Sequence, residues 1–178
     1  LDLSKISKGG QIFAGAGIVY FIASFLPWYT ASGKVQGVEV ASDSANAWGD
    51  LGFLWGSLWA LLFLAAAVII LLPAFGTKPP KLPSIAFLAV AALATLFTLL
   101  KLIIGEDDVT GIGFKVEVSA SFGLFLAVIA AAAATFGGYL LFTESGGSLD
   151  DLKDPNKLKS SFSTGGSTGG SVPPPPPP

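Results

Sequence analysis

The side chains able to do chemistry in this 178-residue chain are few, and nearly all of them are carboxylates and lysines. Histidine, cysteine, methionine and arginine are absent. Their absence removes the commonest general base, thiolate nucleophiles, disulfides and Cys/His zinc sites together. Without arginine there is no bidentate contact to phosphates or base edges, and a net charge of -2 offers no nucleic-acid surface. The acids gather in two polar stretches, one holding Glu39 and Asp43, the other Glu106-Asp107-Asp108 and Glu117. The triplet has the oxygen ligands a divalent cation takes, but no EF-hand spacing surrounds it, and a solvated acidic loop is much the commoner case. A hydrolase needs a nucleophile beside a base, and no such pair stands out. Catalytic carboxylates in the polar loops are the enzymatic route left. The expectation is therefore a protein with no catalytic residue, no cofactor and no metal.

The elements that must position these groups are hydrophobic. Leu51–Leu72 carries no charge, and its only polar side chain is Ser57. About 20 apolar residues, rising roughly 1.5 Å each, cross a hydrocarbon core about 30 Å thick. A helix on a soluble domain would show a polar stripe, and this run has none. Only 12% of the residues are charged, against about 25% in soluble domains. Residues 9–28, 84–104 and 119–142 have the same character. The first is too long for a signal peptide and lacks its cleavage pattern; Pro73 is expected to end the second. The fold class these runs imply is an all-α membrane protein, a four-transmembrane-helix bundle over residues 1–143. Residues 144–178 read as a disordered Gly/Ser/Pro-rich tail ending in six prolines, a polyproline II rod. With no methionine at residue 1, the native start is expected elsewhere.

Lysines orient the bundle. Lys5, Lys8, Lys78, Lys81 and the tail lysines flank one side, which places both termini in the cytoplasm by the positive-inside rule. Trp28, Tyr29, Trp48, Trp55 and Trp59 fall near the outer ends of the first two spans, where aromatic rings favour the headgroup boundary. An aromatic pocket for a lipid or a quinone-like ring, around Trp55 and Trp59, is the alternative. Trp48, Trp55 and Trp59 share a face if the second helix begins early. Lys101 can snorkel to the outer boundary, with Glu106, Asp107 and Asp108 as counter-charges. The outer loops resemble each other: residues 38–42 read VEVAS and residues 116–120 read VEVSA. Their period-two alternation predicts one strand per loop, pairing as a small extracytoplasmic β-sheet; duplication and chance both produce such a match. Gly10 and Ala14 in the first span, and Ala130, Ala134 and Gly138 in the fourth, offer close helix contacts, either within one bundle or between copies.

The run SFLPWY (Ser24–Tyr29), after SKGGQIFAGAGI (Ser7–Ile18), resembles small four-span membrane proteins of actinobacteria. Those pair a proline- or glycine-rich cytoplasmic tail with a helical bundle and mostly lack an assigned function. The resemblance implies a multi-pass protein of a bacterial cytoplasmic membrane and transfers no catalytic residue. The layout is also similar to claudin-like bundles, whose Cys signature is missing here. The function expected is a membrane scaffold or accessory subunit without catalytic activity. Its partners would be membrane lipids, a membrane-protein complex partner or a second copy, and a cytoplasmic partner of the tail. A lipid- or quinone-binding, transport-related protein is the alternative.

Overall fold

Helices and hairpins alternate along the chain in the computed structural model, which describes residues 2–148 except 37, 50 and 113, together with residues 153 and 156. A short 3-10 turn (Leu3–Lys5) leads into α1 (Lys8–Ala23), followed by the hairpin β1 (Tyr29–Val35) and β2 (Val38–Ala45). Next come α2 (Ser57–Leu71), extended by a 3-10 turn (Leu72–Phe75), and α3 (Ser84–Ile104). A second hairpin, β3 (Val109–Gly111) and β4 (Phe114–Ala120), precedes α4 (Phe122–Glu144).

This architecture corrects the all-α, four-transmembrane-helix expectation. The protein is mixed α/β, four helices plus a four-stranded antiparallel sheet. Among the described residues three helical segments are long and apolar enough to cross a membrane: Ser57–Phe75, Ser84–Ile104 and Phe122–Glu144. At 16 residues α1 is about 24 Å long, short of a hydrocarbon core of about 30 Å. The apolar run beyond it turns at Ser24–Leu26 and straightens through Pro27 into β1. The second span also differs. Residues 51–56 are apolar but form turns, so Trp48 and Trp55 precede α2 rather than sharing its face with Trp59. Pro73 does not end the helical path; it occupies the first turn of the 3-10 extension, where its missing N–H costs nothing, and Gly76 (φ 77°) ends it. The tail expected over 144–178 lies almost wholly outside the described residues, which include only its start and two later positions.

Each of the two polar loops supplies a hairpin rather than one strand, and the sheet order is β2-β1-β4-β3. β1 pairs with β2 from Tyr29 opposite Ala45 to Val35 opposite Val38, with a register shift between Gly33 and Lys34. On its other side β1 pairs with β4, from Tyr29 opposite Ala120 to Val35 opposite Phe114. Central strands satisfy their backbone on both sides, which lets the polar sequence of β1 (YTASGKV) hold the middle of the sheet without an apolar alternation.

The sheet caps the end of the helices where α1 and α3 finish and α2 and α4 begin. α4 packs along α1 and α3, and α1 along α2, whereas α2 and α3 touch only slightly. Phe13, Tyr20, Phe63 and Leu124 fill the core with zero exposure, with Tyr20 and Phe63 ring centroids 4.8 Å apart.

Candidate functional site

The densest cluster of polar groups lies where the underside of the sheet meets the end of α3. Side chains alternate along a strand, so Tyr29, Ala31, Val118 and Ala120 share the face turned toward the helices, and Thr30, Ser32, Glu117 and Ser119 the opposite one. From the inner face the Tyr29 hydroxyl donates to the backbone carbonyl oxygen of Lys101 at 2.5 Å. The Gly105 N–H donates to that same carbonyl oxygen, so the last turn of α3 is closed by its own backbone and by the first residue of β1.

The Lys101 side chain is buried. Its ammonium pairs with the Glu106 carboxylate and lies 5.6 Å from the centre of the Tyr29 ring and 5.5 Å from that of Trp55. Burying a cation is costly unless it is paired; here one carboxylate and two aromatic faces do so, the latter worth roughly 0.5–2 kcal/mol each. Burial first, then the Glu106 charge, pushes the Tyr29 phenol up to about 12. It stays protonated near neutrality and acts as a donor rather than a base.

Beside this cluster a cavity of about 280 Å³ opens between sheet and loops, lined by Tyr29, Asp43, Leu51, Glu106, Asp107 and Val118 among others. Among the described residues no three His, Cys, Asp or Glu side chains are placed to hold a metal ion.

On the outward face of the sheet Glu117 is held by two lysines. Lys34 donates to it at 2.5 Å across the β1–β4 pair, and Lys115 at 3.0 Å. The hydrogen bond from Lys34, followed by that from Lys115 and both charges, lowers the Glu117 carboxyl to about 2, and the hydrogen bond and charge of Glu117, with a smaller contribution from Asp108, raise Lys115.

The five aromatic residues singled out in the sequence have different surroundings. Trp28 is fully buried, donating from Nε1 to the Ala23 carbonyl oxygen at 2.9 Å. Tyr29 is buried as described. Trp48 lies at the surface, stacked on Phe25 at 5.3 Å, its Nε1 donating to Ser24 Oγ. Trp55 and Trp59 both face Phe97 of α3, at 5.7 and 5.1 Å, and Trp59 Nε1 donates to the Leu54 carbonyl oxygen.

The small residues Gly10, Ala14, Ala130, Ala134 and Gly138 are all buried within the chain. A Cβ on Gly138 would approach the Leu88 backbone of α3 to 3.0 Å, and one on Gly10 would meet the Ile6 side chain at 2.8 Å and Ile70 at 3.2 Å. The closest helix approach uses glycines the sequence reading passed over. A Cβ on Gly137 would lie 2.6 Å from the Phe13 nitrogen, and one on Gly9 2.5 Å from the Leu141 nitrogen. Two interhelical hydrogen bonds were also missed, Tyr20 to Thr98 and Thr95 to Thr135, both 2.9 Å. The signal available was the presence of Tyr and Thr inside otherwise apolar runs.

No protein-family model matches the chain, and no curated protein is significantly similar to it.

Proposed function

We propose that this protein is an integral membrane scaffold or accessory subunit without catalytic activity, multi-pass in a bacterial cytoplasmic membrane. Its sheet stands on the outer side and its tail engages or spaces a cytoplasmic partner. The observation that carries the reading is the outer end of the sheet. The hairpins extend past the helices and leave Val35, Val38, Val109, Ile112 and Phe114 exposed at their tips. Clustered apolar side chains at a water-facing extremity are the usual mark of a docking surface.

The orientation draws support from charge. Lys5, Lys8, Lys78 and Lys81 lie at the end remote from the sheet, by the start of α1 and the link between α2 and α3. The Gly9 N–H donates to Glu144 at 3.2 Å, so α1 begins beside the end of α4. That contact supports termini on one side, and the lysine bias supports the cytoplasmic one. Chemical cross-linking in native membranes tests the reading: adducts are expected, and recovery as an isolated monomer under every condition would overturn it.

A second reading, lipid or quinone binding, draws on the seam where α2 and α3 barely touch and Trp55, Trp59 and Phe97 bridge it. It expects a lipid or quinone to co-purify with the wild type and to be lost from Trp59→Ala while the fold persists. A wild type that carries none defeats it.

A further inference from the structure

A pattern longer than the VEVAS and VEVSA match runs through both hairpins. Ser32-Gly33 is followed after four residues by Val38-Glu39-Val40, and Thr110-Gly111 after four residues by Val116-Glu117-Val118. In each copy the hydroxyl–glycine pair sits on the first strand of the hairpin and Val-Glu-Val on the second.

Inside the molecule the two copies meet once. β1 from the first pairs with β4 from the second, setting Gly33 opposite Val116, Ser32 opposite Glu117 and Ala31 opposite Val118. The complementary halves have no such partner. Thr110-Gly111 lies on β3 at one edge of the sheet, and Val38-Glu39-Val40 on β2 at the other. A two-fold relation between the hairpins would leave like strands at both edges. Here one edge is a second strand and the other a first strand, the arrangement of a translation, which does not close on itself.

The geometry points to a second copy of this chain as the partner of the outer sheet, its β2 edge adding to the β3 edge in the register of the internal β1–β4 junction. Val38 then lies opposite Gly111 and Glu39 opposite Thr110, with Val40, the extra residue of the β2 bulge, beside Val109. The strands are antiparallel, as at the internal junction, because β3 runs with β1 and β2 with β4. Both edges are accessible, with Val38, Val40 and Val109 at 66%, 62% and 56% exposure. Neither β2 nor β3 carries a lysine or proline, and the bulge at Val40 together with the three-residue length of β3 confines the contact to a short stretch. Charge fits as well. Among the described residues Glu39 forms no ion pair, and Thr110, which it would face, has Lys115 opposite it on β4. The inference rests on the scaffold reading and names its partner: the contact is head-to-tail, so copies form an open row in the membrane plane.

The absence of native cysteine makes the test direct. The full chain carrying Glu39→Cys with Thr110→Cys, oxidised in membranes, is expected to give a ladder of dimers, trimers and higher species. A mixture of chains carrying one substitution each is expected to stop at dimers. Val40→Cys with Val109→Cys is a second pair at the same junction, and Thr30→Cys with Ser119→Cys, neighbours within the sheet, reports by an internal disulfide that the sheet has formed. Dimers from Glu39→Cys alone would mean a symmetric β2–β2 contact and overturn the proposal. So would the absence of intermolecular disulfides from both junction pairs while the internal disulfide forms. In that last case an adduct of the wild type with a different polypeptide would leave the scaffold reading standing and sink only self-pairing.

Discussion

Lys101 is the residue on which most of the buried electrostatics turns, and its partners are unequal in what their loss would do. Glu106 is the only carboxylate among the described residues that pairs with it, and the two rings contribute faces rather than charge. Glu106→Gln should leave a buried ammonium with aromatic faces alone, at a cost on the order of 1–3 kcal/mol. Lys101→Met keeps the stem and the backbone carbonyl that Tyr29 binds, and leaves Glu106, itself partly exposed, to water. It should cost under about 1 kcal/mol. Thermal unfolding of the two variants in one detergent checks the order. Glu117 offers a pH test at the same scale. Its folded value is about 2 against an ordinary 4.5. A carboxyl with a depressed folded value contributes stability that is fully present above the ordinary value and is lost as pH falls toward the folded one. The β1–β4 tie should therefore hold at neutrality and fade between about 4.5 and about 2. A carboxyl-carbon NMR titration of Glu117 should show a midpoint near 2, moving up most in Lys34→Ala, because that hydrogen bond is the largest cause of the lowering.

The helices separate glycines that admit a neighbour from glycines that merely lack a side chain. Gly137→Ala places a Cβ 2.6 Å from backbone of α1, which cannot yield as a flexible side chain would, so α1 and α4 must part. The expected loss is roughly 2 kcal/mol or more. Gly15 is on the exposed face of α1, where a Cβ meets nothing within 4 Å. Gly15→Ala should stabilise by up to about 1 kcal/mol through helix propensity and a less free unfolded chain. Opposite signs from one substitution type, read by unfolding midpoints, are the check. The other two helices show what sequence could and could not reveal. Residues 84–104 were legible to the residue, because an apolar run between Pro83 and Gly105 has defined ends. Residues 51–56 were not. They are as apolar as the helix that follows, yet Gly52 adopts φ 83° and Gly56 lies against Ala47, tertiary facts that hydropathy does not carry. β1 was hidden for a related reason: a strand paired on both sides draws its stability from backbone hydrogen bonds, so YTASGKV needs no alternation to announce it. Of the site, Lys101 and its acidic counter-charge were readable from spacing. Tyr29 reaches Lys101 because β1 meets the end of α3, and Trp55 because the turns before α2 do.

At the level of the whole molecule, the surface itself argues for a surrounding other than water. Within the three apolar helical segments only 33%, 22% and 39% of the most hydrophobic stretch is buried, and Val68, Ile103, Phe122 and Ile129 are among the large side chains left outward. Soluble monomers rarely expose contiguous apolar patches of more than a few hundred Å², and these three segments are long and apolar enough to cross a membrane. The sheet is built the other way, with Thr30, Ser32, Ser42, Glu117 and Ser119 on its outward face. On the proposed membrane reading, the boundary between the two media passes near the level of Tyr29 and Lys101, and this sets where a probe can reach. With no native cysteine to interfere, Ser42→Cys on β2 should react in intact cells with a maleimide that does not cross membranes. Thr77→Cys, between α2 and α3 at the opposite end, should react only after the cells are permeabilised. The reverse pattern would invert the molecule and place the lysine-rich end outside. Equal labelling of both sites in intact cells would mean that the apolar helices do not separate two compartments at all.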